Sequence, residues 1–201
     1  MVPRLERRFF ERYTPNVAKA LLGTALVRRV DGERLSGTIV ETEAYRGKRD
    51  PASHAFRGRT ARNAVMFEQA GHAYVYFAYG SNWCLNITTE PAGTPGAVLI
   101  RAIEPKEGLE AMAKNRRGAT GHLTDGPGRL TQALGIDANF DGEDFVTSSR
   151  LFLEYGRSIG KTGVSPRVGI SRGTSYMWRF FVIGNAFVSR AKFPVRPRTH
   201  N

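Results

Sequence analysis

The segment Ala73–Ile87, AYVYFAYGSNWCLNI, constrains this chain most. It reads as two strands joined at a tight Gly80-Ser81-Asn82 corner, because aromatic and β-branched residues favour a sheet and glycine and asparagine favour a turn. Tyr74, Tyr76, Tyr79 and Trp83 fall within it. Tyr79 stands beside the corner, where a side chain can project off the sheet. The chain has a formal net charge of +12, and a protruding aromatic on a basic protein suggests a wedge that enters a base stack. A Tyr-rich core hairpin is the alternative reading.

The basic surplus is 30 Lys+Arg against 18 Asp+Glu, and 24 of the 30 are arginine. A planar guanidinium fork suits phosphate, so the bias favours nucleic-acid contact, although charge alone does not separate DNA, RNA and an anionic membrane surface. The 201 residues fit one large domain. Cys84 is the only cysteine, which excludes an intramolecular disulfide and points to a reducing compartment. His54, His72, His122 and His200 lie far apart, with no zinc-site spacing, so no metal or other cofactor is expected. No signal peptide or membrane-length apolar run is visible, and a cytoplasmic protein is expected.

Along the chain, Thr14-Pro15 reads as a capped helix start running to about Leu22. Strands at Ala25–Val30 and Leu35–Tyr45 flank the hairpin turn Asp31-Gly32. Lys48–Asn63 is polar and aperiodic and reads as a long surface loop. Strands follow at Ala73–Tyr79, Trp83–Thr89 and Ala97–Ile103, the last ending before Pro105. A helix over Lys106–Arg117 should bury Leu109 and Met112, and Asp125–Gly128 opens another through Leu134. Late strands are expected at Leu151–Tyr155, Arg167–Ser171 and Arg179–Ile183. The tail Phe193–Asn201 is basic and Pro-rich and should be loosely held. Strands outnumber helices and come mostly as hairpins. The expected fold is mixed α/β (α+β): one domain, a largely antiparallel sheet with flanking helices, and a protruding β-hairpin.

Thr38–Tyr45, TIVETEAY, is a strand ending in carboxylates. Period two places Ile39, Glu41, Glu43 and Tyr45 on one face. These acids are either solvated on an edge strand or buried for a purpose, the purpose being a general base that activates water. His54, Tyr45 and Tyr76 could form an aromatic slot able to replace the stacking of a flipped base. Arg101, inside the apolar strand AVLIRAIEP, needs an anionic partner such as Glu43. Asn86, in WCLNIT, needs its amide satisfied by backbone or ligand. Thr124–Ile136 resembles a phosphate-binding corner or, equally, a plain turn and helix start.

Taken together, ETEAY (Glu41–Tyr45), His54, Arg62-Asn63 with Met66-Phe67, YVYFAYGSNWCLN (Tyr74–Asn86), RAIEP (Arg101–Pro105), DGPGRLTQAL (Asp125–Leu134), RVGI (Arg167–Ile170) and WRFF (Trp178–Phe181) resemble the alkyladenine (3-methyladenine) DNA glycosylase family. The resemblance implies a monofunctional glycosylase of base excision repair, acting as a monomer on duplex DNA that carries alkylated or deaminated purines. It implies that Glu43 deprotonates the attacking water and that Arg101 helps hold it. Tyr45, His54 and Tyr76 would be the stacking walls, and Asn86 would crowd the exocyclic amino group of guanine. Val168 would supply a backbone carbonyl near the water, and Tyr79 would fill the gap left by the flipped nucleotide. Two departures, SRGTSYMW after Ile170 and Ser81 beside the wedge, bear on lesion range. A bacterial member is expected. The competing readings are a non-catalytic DNA-binding module of this fold and an RNA-binding or RNA-modifying enzyme.

Overall fold

The computed structural model describes residues 2–78, 80–156 and 158–189. Tyr79 and the tail from 190 onward therefore lie outside the described residues. Strands β1 (Ala25–Val30), β2 (Glu33–Arg46), β3 (Ala73–Ala78), β4 (Asn82–Thr89), β5 (Gly96–Glu107), β6 (Leu151–Glu154), β7 (Thr162–Ser165) and β8 (Arg179–Val182) form one curled antiparallel sheet in a single domain. Its order is β3-β4-β5-β2-β1-β6, with β8 pairing the far half of β2 and β7 pairing β8. Helices α1 (Arg7–Phe10), α2 (Thr14–Ala20), α3 (Leu109–Asn115) and α4 (Pro127–Leu134) flank it. The expected mixed α/β architecture is the one observed.

The local reasons are legible. Asp31 and Gly32 both take positive φ, +50° and +80°, the backbone that a two-residue turn between right-twisted strands requires. In α2 Pro15 occupies the first turn, where a missing N–H costs nothing. Thr14 is not a side-chain cap; its N–H and hydroxyl instead donate to the buried Glu90 carboxylate. Gly128 in α4 lies against Asn82 so closely that a Cβ would stand 2.6 Å from its side chain, so glycine lets the helix seat beside the hairpin corner.

β2 is the spine of the sheet. Its first half lies between β1 and β5, its second between β8 and β5. The expected alternation fails at one place. Ile39 faces Ile103 and Glu41 faces Ala102, so Val40 is an extra residue on β2; Thr42 then faces Ile100, so Arg101 is an extra residue on β5. Two compensating bulges restore the register. Ile39 joins the main core with Ala44 and Ile100, while Glu41 and Glu43 turn to the other face. Ile39 therefore does not share a face with the two acids.

Four other expectations change. β5 runs through Pro105 to Glu107, because the register slips by one between Ser36 and Gly37 and a bulge tolerates proline's missing N–H. Gly108 then turns the chain, α3 starts only at Leu109, and that side chain is 48% exposed while Met112 is fully buried. Lys48–Asn63 is not a simple surface loop: Asp50, Ser53, Ala55 and Asn63 are buried, and a 3-10 helix, Ala61–Phe67, begins inside it. Arg167–Ser171 is not a strand; the strand lies at β7, and Arg167 is drawn inward by an ion pair described below.

Candidate active site

One face of the sheet carries Tyr74 and Tyr76 from β3, Cys84 and Asn86 from β4, Leu99 and Arg101 from β5, and Tyr45 from β2 around a cleft. Period two puts them there, since the intervening Val75, Leu85, Ile87, Val98 and Ile100 fill the core. Glu43 faces Leu99, which faces Asn86 on the next strand, so acid and amide stand in one row across the sheet. The outer hollow, about 370 Å³, is lined by Tyr45, His54, Arg62, Tyr76, Arg101, Val168 and neighbours. A narrower recess of about 30 Å³ continues between Tyr45, His54, Tyr74, Tyr76 and Asn86.

Glu43 has no solvent exposure. Its Oε1 accepts the Val168 N–H at 2.7 Å, and its Oε2 accepts the Tyr45 hydroxyl at 2.7 Å. Arg101 Nη1 stands 3.4 Å from Oε2. The resemblance implies a role for the Val168 carbonyl; the contact seen is through its N–H. A carboxylate so placed is held in one orientation by neutral donors and one charge. Burial and the adjacent Glu43 charge push the Tyr45 hydroxyl well above the usual tyrosine range, so it remains a donor. For Arg101, burial opposes the charge, but Glu43 and Glu41 outweigh it and raise the pKa further.

The walls are equally specific. His54 Nδ1 is 2.7 Å from the Tyr74 hydroxyl, and its ring meets Tyr76 edge-on at 4.5 Å. Burial, chiefly, and the Arg62 charge lower the His54 pKa, so the imidazole is neutral near pH 7. Burial raises the Tyr74 hydroxyl to about 12. The Asn86 amide donates to the Tyr74 carbonyl at 3.0 Å, which is the backbone partner it needs.

Glu43, Arg101, Tyr45, His54, Tyr76, Asn86 and Val168 are thus brought together, and the acids lie in an interior strand rather than on a solvated edge. Sequence reasoning missed the supports. Arg167 and Asp50, both without side-chain exposure, form a bidentate pair at 2.6 and 2.7 Å. The guanidinium stacks 4.6 Å from the Tyr45 ring and donates to the Ala44 carbonyl. This pair ties the segment bearing His54 to the segment bearing Val168. Glu41 likewise gathers Arg101, Arg179 and Ser189. Its place two residues before Glu43 was a signal, as was the buried arginine's need of an anion. Among the described residues no group of three or more His, Cys, Asp or Glu side chains is placed to hold a metal ion, and no helix is long and apolar enough to cross a membrane.

The site is thus an aromatic slot with a neutral imidazole beside a fixed, buried carboxylate, on a strongly basic chain. Residues 8–186 match the pattern of the methylpurine-DNA glycosylase family, and the chain belongs to that family. Among its relatives, a protein of Chlorobium phaeobacteroides is 47% identical over 195 residues, covering 95% of this chain and 99% of the relative. One from Chlorobium phaeovibrioides is 48% identical over 193 residues, covering 94% and 98%. One from Methanocella arvoryzae is 45% identical over 194 residues, covering 94% and 97%. All three carry a provisional name, 3-methyladenine DNA glycosylase.

Proposed function

We propose that this protein is a monofunctional DNA glycosylase that, as a monomer in the cytoplasm, removes alkylated purines of the 3-methyladenine class from duplex DNA. The observation that carries the reading is Glu43: a fully buried carboxylate, oriented by Tyr45 and Val168, beneath an aromatic slot. The nucleotide is flipped out and its base enters between Tyr45, His54 and Tyr76. An alkylated purine is cationic, and aromatic faces attract it beyond ordinary stacking. Neutral His54 sets no opposing charge against it. Asn86, fixed by the Tyr74 carbonyl, crowds the edge where guanine carries its amino group.

Glu43 accepts the proton of a water that attacks the sugar carbon as the glycosidic bond breaks. The same carboxylate stabilises the positive charge that develops on the sugar. Arg101 helps hold the water. Deaminated or etheno-bridged purines lack the cationic attraction and depend on hydrogen bonds in the recess.

The test is single-turnover excision from a duplex with one 3-methyladenine-class lesion. Glu43→Gln keeps the side chain's shape and its bond from Val168, so lesion binding should persist. Excision should fall by about two orders of magnitude or more, the usual range for losing a general base. Near-wild-type excision by this variant would overturn the assignment.

A further inference from the structure

Glu41 has no solvent exposure, yet four donors reach its two oxygens. Oε1 accepts Arg179 Nε at 2.6 Å, the Ser189 hydroxyl at 2.8 Å and Arg101 Nε at 3.0 Å; Oε2 accepts the Ser189 N–H at 2.7 Å. A staple between β2 and the segment at Ser189 needs no more than Ser189 and Arg179. Arg101 is the surplus partner, and it is the one that also meets Glu43.

The distances are unequal in an informative way. Arg101 makes its hydrogen bond to Glu41 at 3.0 Å and stands off from Glu43 at 3.4 Å. An unrestrained charge-assisted bond closes to about 2.7–2.9 Å. The guanidinium is planar and rigid, so a fixed Nε also fixes where both terminal nitrogens point. Released from Glu41, Arg101 would keep only its 3.4 Å contact with the Ser189 hydroxyl and could close onto Glu43 Oε2. A carboxylate closed in that way holds neither water nor its proton well.

We infer that Glu41 is a positioning residue, which anchors Arg101 by Nε so that its charge reaches Glu43 without closing a tight pair across the water site. The inference rests on the glycosylase reading above. Glu41 itself touches no reacting atom; it acts through Arg101.

The test is a mutant cycle of Glu41→Gln and Arg101→Ala, read by single-turnover excision, by lesion-duplex affinity and by the Arg101 Nε–H resonance in the full chain. Glu41→Gln should slow excision by about tenfold or more, with affinity changed by less than about threefold. In the Arg101→Ala background the same change should cost less than about twofold, because coupled residues are not additive. Arg179→Met removes an equal charge from the same Glu41 oxygen but leaves the Arg101 Nε bond to it in place, and should cost excision less than Glu41→Gln does. In Glu41→Gln the Nε–H resonance should shift and exchange faster. If Glu41→Gln does not fold, Glu41→Asp, which retracts the charge by one methylene, serves the same cycle. Losses that simply add, an equal defect in Arg179→Met, or an unmoved resonance would overturn the positioning role. A wild type that excises nothing would overturn the glycosylase reading instead, and the resonance would still report whether Glu41 restrains Arg101.

Discussion

Replacing Asp50 by alanine strands the guanidinium of Arg167 in the interior. Both side chains of this pair are fully buried, and the carboxylate accepts two bonds from Arg167, at 2.6 and 2.7 Å. It also accepts the backbone N–H groups of Arg46 and Ala52, at 3.0 and 3.1 Å. Breaking a buried pair by removing one partner costs about 3–5 kcal/mol, because the remaining charge is uncompensated. In a domain of this size each kcal/mol lowers the melting temperature by about 2–4 °C, so Asp50→Ala should melt about 10 °C lower. Function should suffer separately. Val168, next to Arg167, holds Glu43, and His54 follows Asp50 by four residues, so both walls of the site loosen. Excision by the folded variant should drop by about tenfold. In Asp50→Ala/Arg167→Met no charge is stranded, and most of the stability should return while excision does not. The assays are thermal melting and single-turnover excision well below the melting point. A single variant within about 2 °C of wild type, or a double variant with normal excision, would refute the argument.

Four further outcomes are expected. His54 has a lowered pKa, so Glu43→Gln should hold a cationic lesion with constant affinity from neutral pH to about 6.5 and lose affinity only below it, and His54→Gln should abolish that loss. The unfolded chain takes up this proton first, so the His54 contribution also lowers folding stability as pH falls below about 6.5, which denaturation at several pH values checks. With a net charge of +12, non-specific duplex affinity should fall with salt at a log–log slope of about −3 or steeper, as for four or more neutralised phosphates, and a slope near zero would place the basic residues elsewhere. Tyr79→Ala should impair excision more for a lesion in a stable pair than in a mismatch, because a mismatched base costs less to extrude; equal loss in both, with a lowered melting temperature, would count against the wedge.

Period two made Glu41, Glu43 and Tyr45 legible as one face, and Asp31-Gly32 was legible as a turn, because nothing distant overrides either. Glu43 and Arg101 were legible as an unusual acid and an unusual base in apolar strands. The paired bulges were not, since neither Val40 nor Arg101 is a glycine or carries another mark of a bulge, and the choice of face for Ile39 depends on which residue is skipped. Pro105 concealed the length of β5 for a related reason: a register slip beside it makes room for it. The Asp50–Arg167 pair joins residues 117 positions apart, and no local pattern predicts which carboxylate a distant arginine will choose. That pair also explains why RVGI, strand-like in composition, is pulled out of the sheet.

The bulges at Val40 and Arg101 have an evolutionary consequence. A chain lacking both residues would keep Ile39 opposite Ile103, Glu41 opposite Ala102 and Thr42 opposite Ile100, the partners they have now. The ladder would be regular and the core would retain its facing pairs. What would be gone is Val40, buried beside Ala102 and Val182, and the arginine between the two carboxylates. Loss of either residue alone would instead slip the register and turn one strand over. Arg101 therefore comes paired with Val40: the ladder accommodates the two extra residues together and neither one alone. Its gain needed a matching insertion on the neighbouring strand, so lineages of this fold should carry both extra residues or neither.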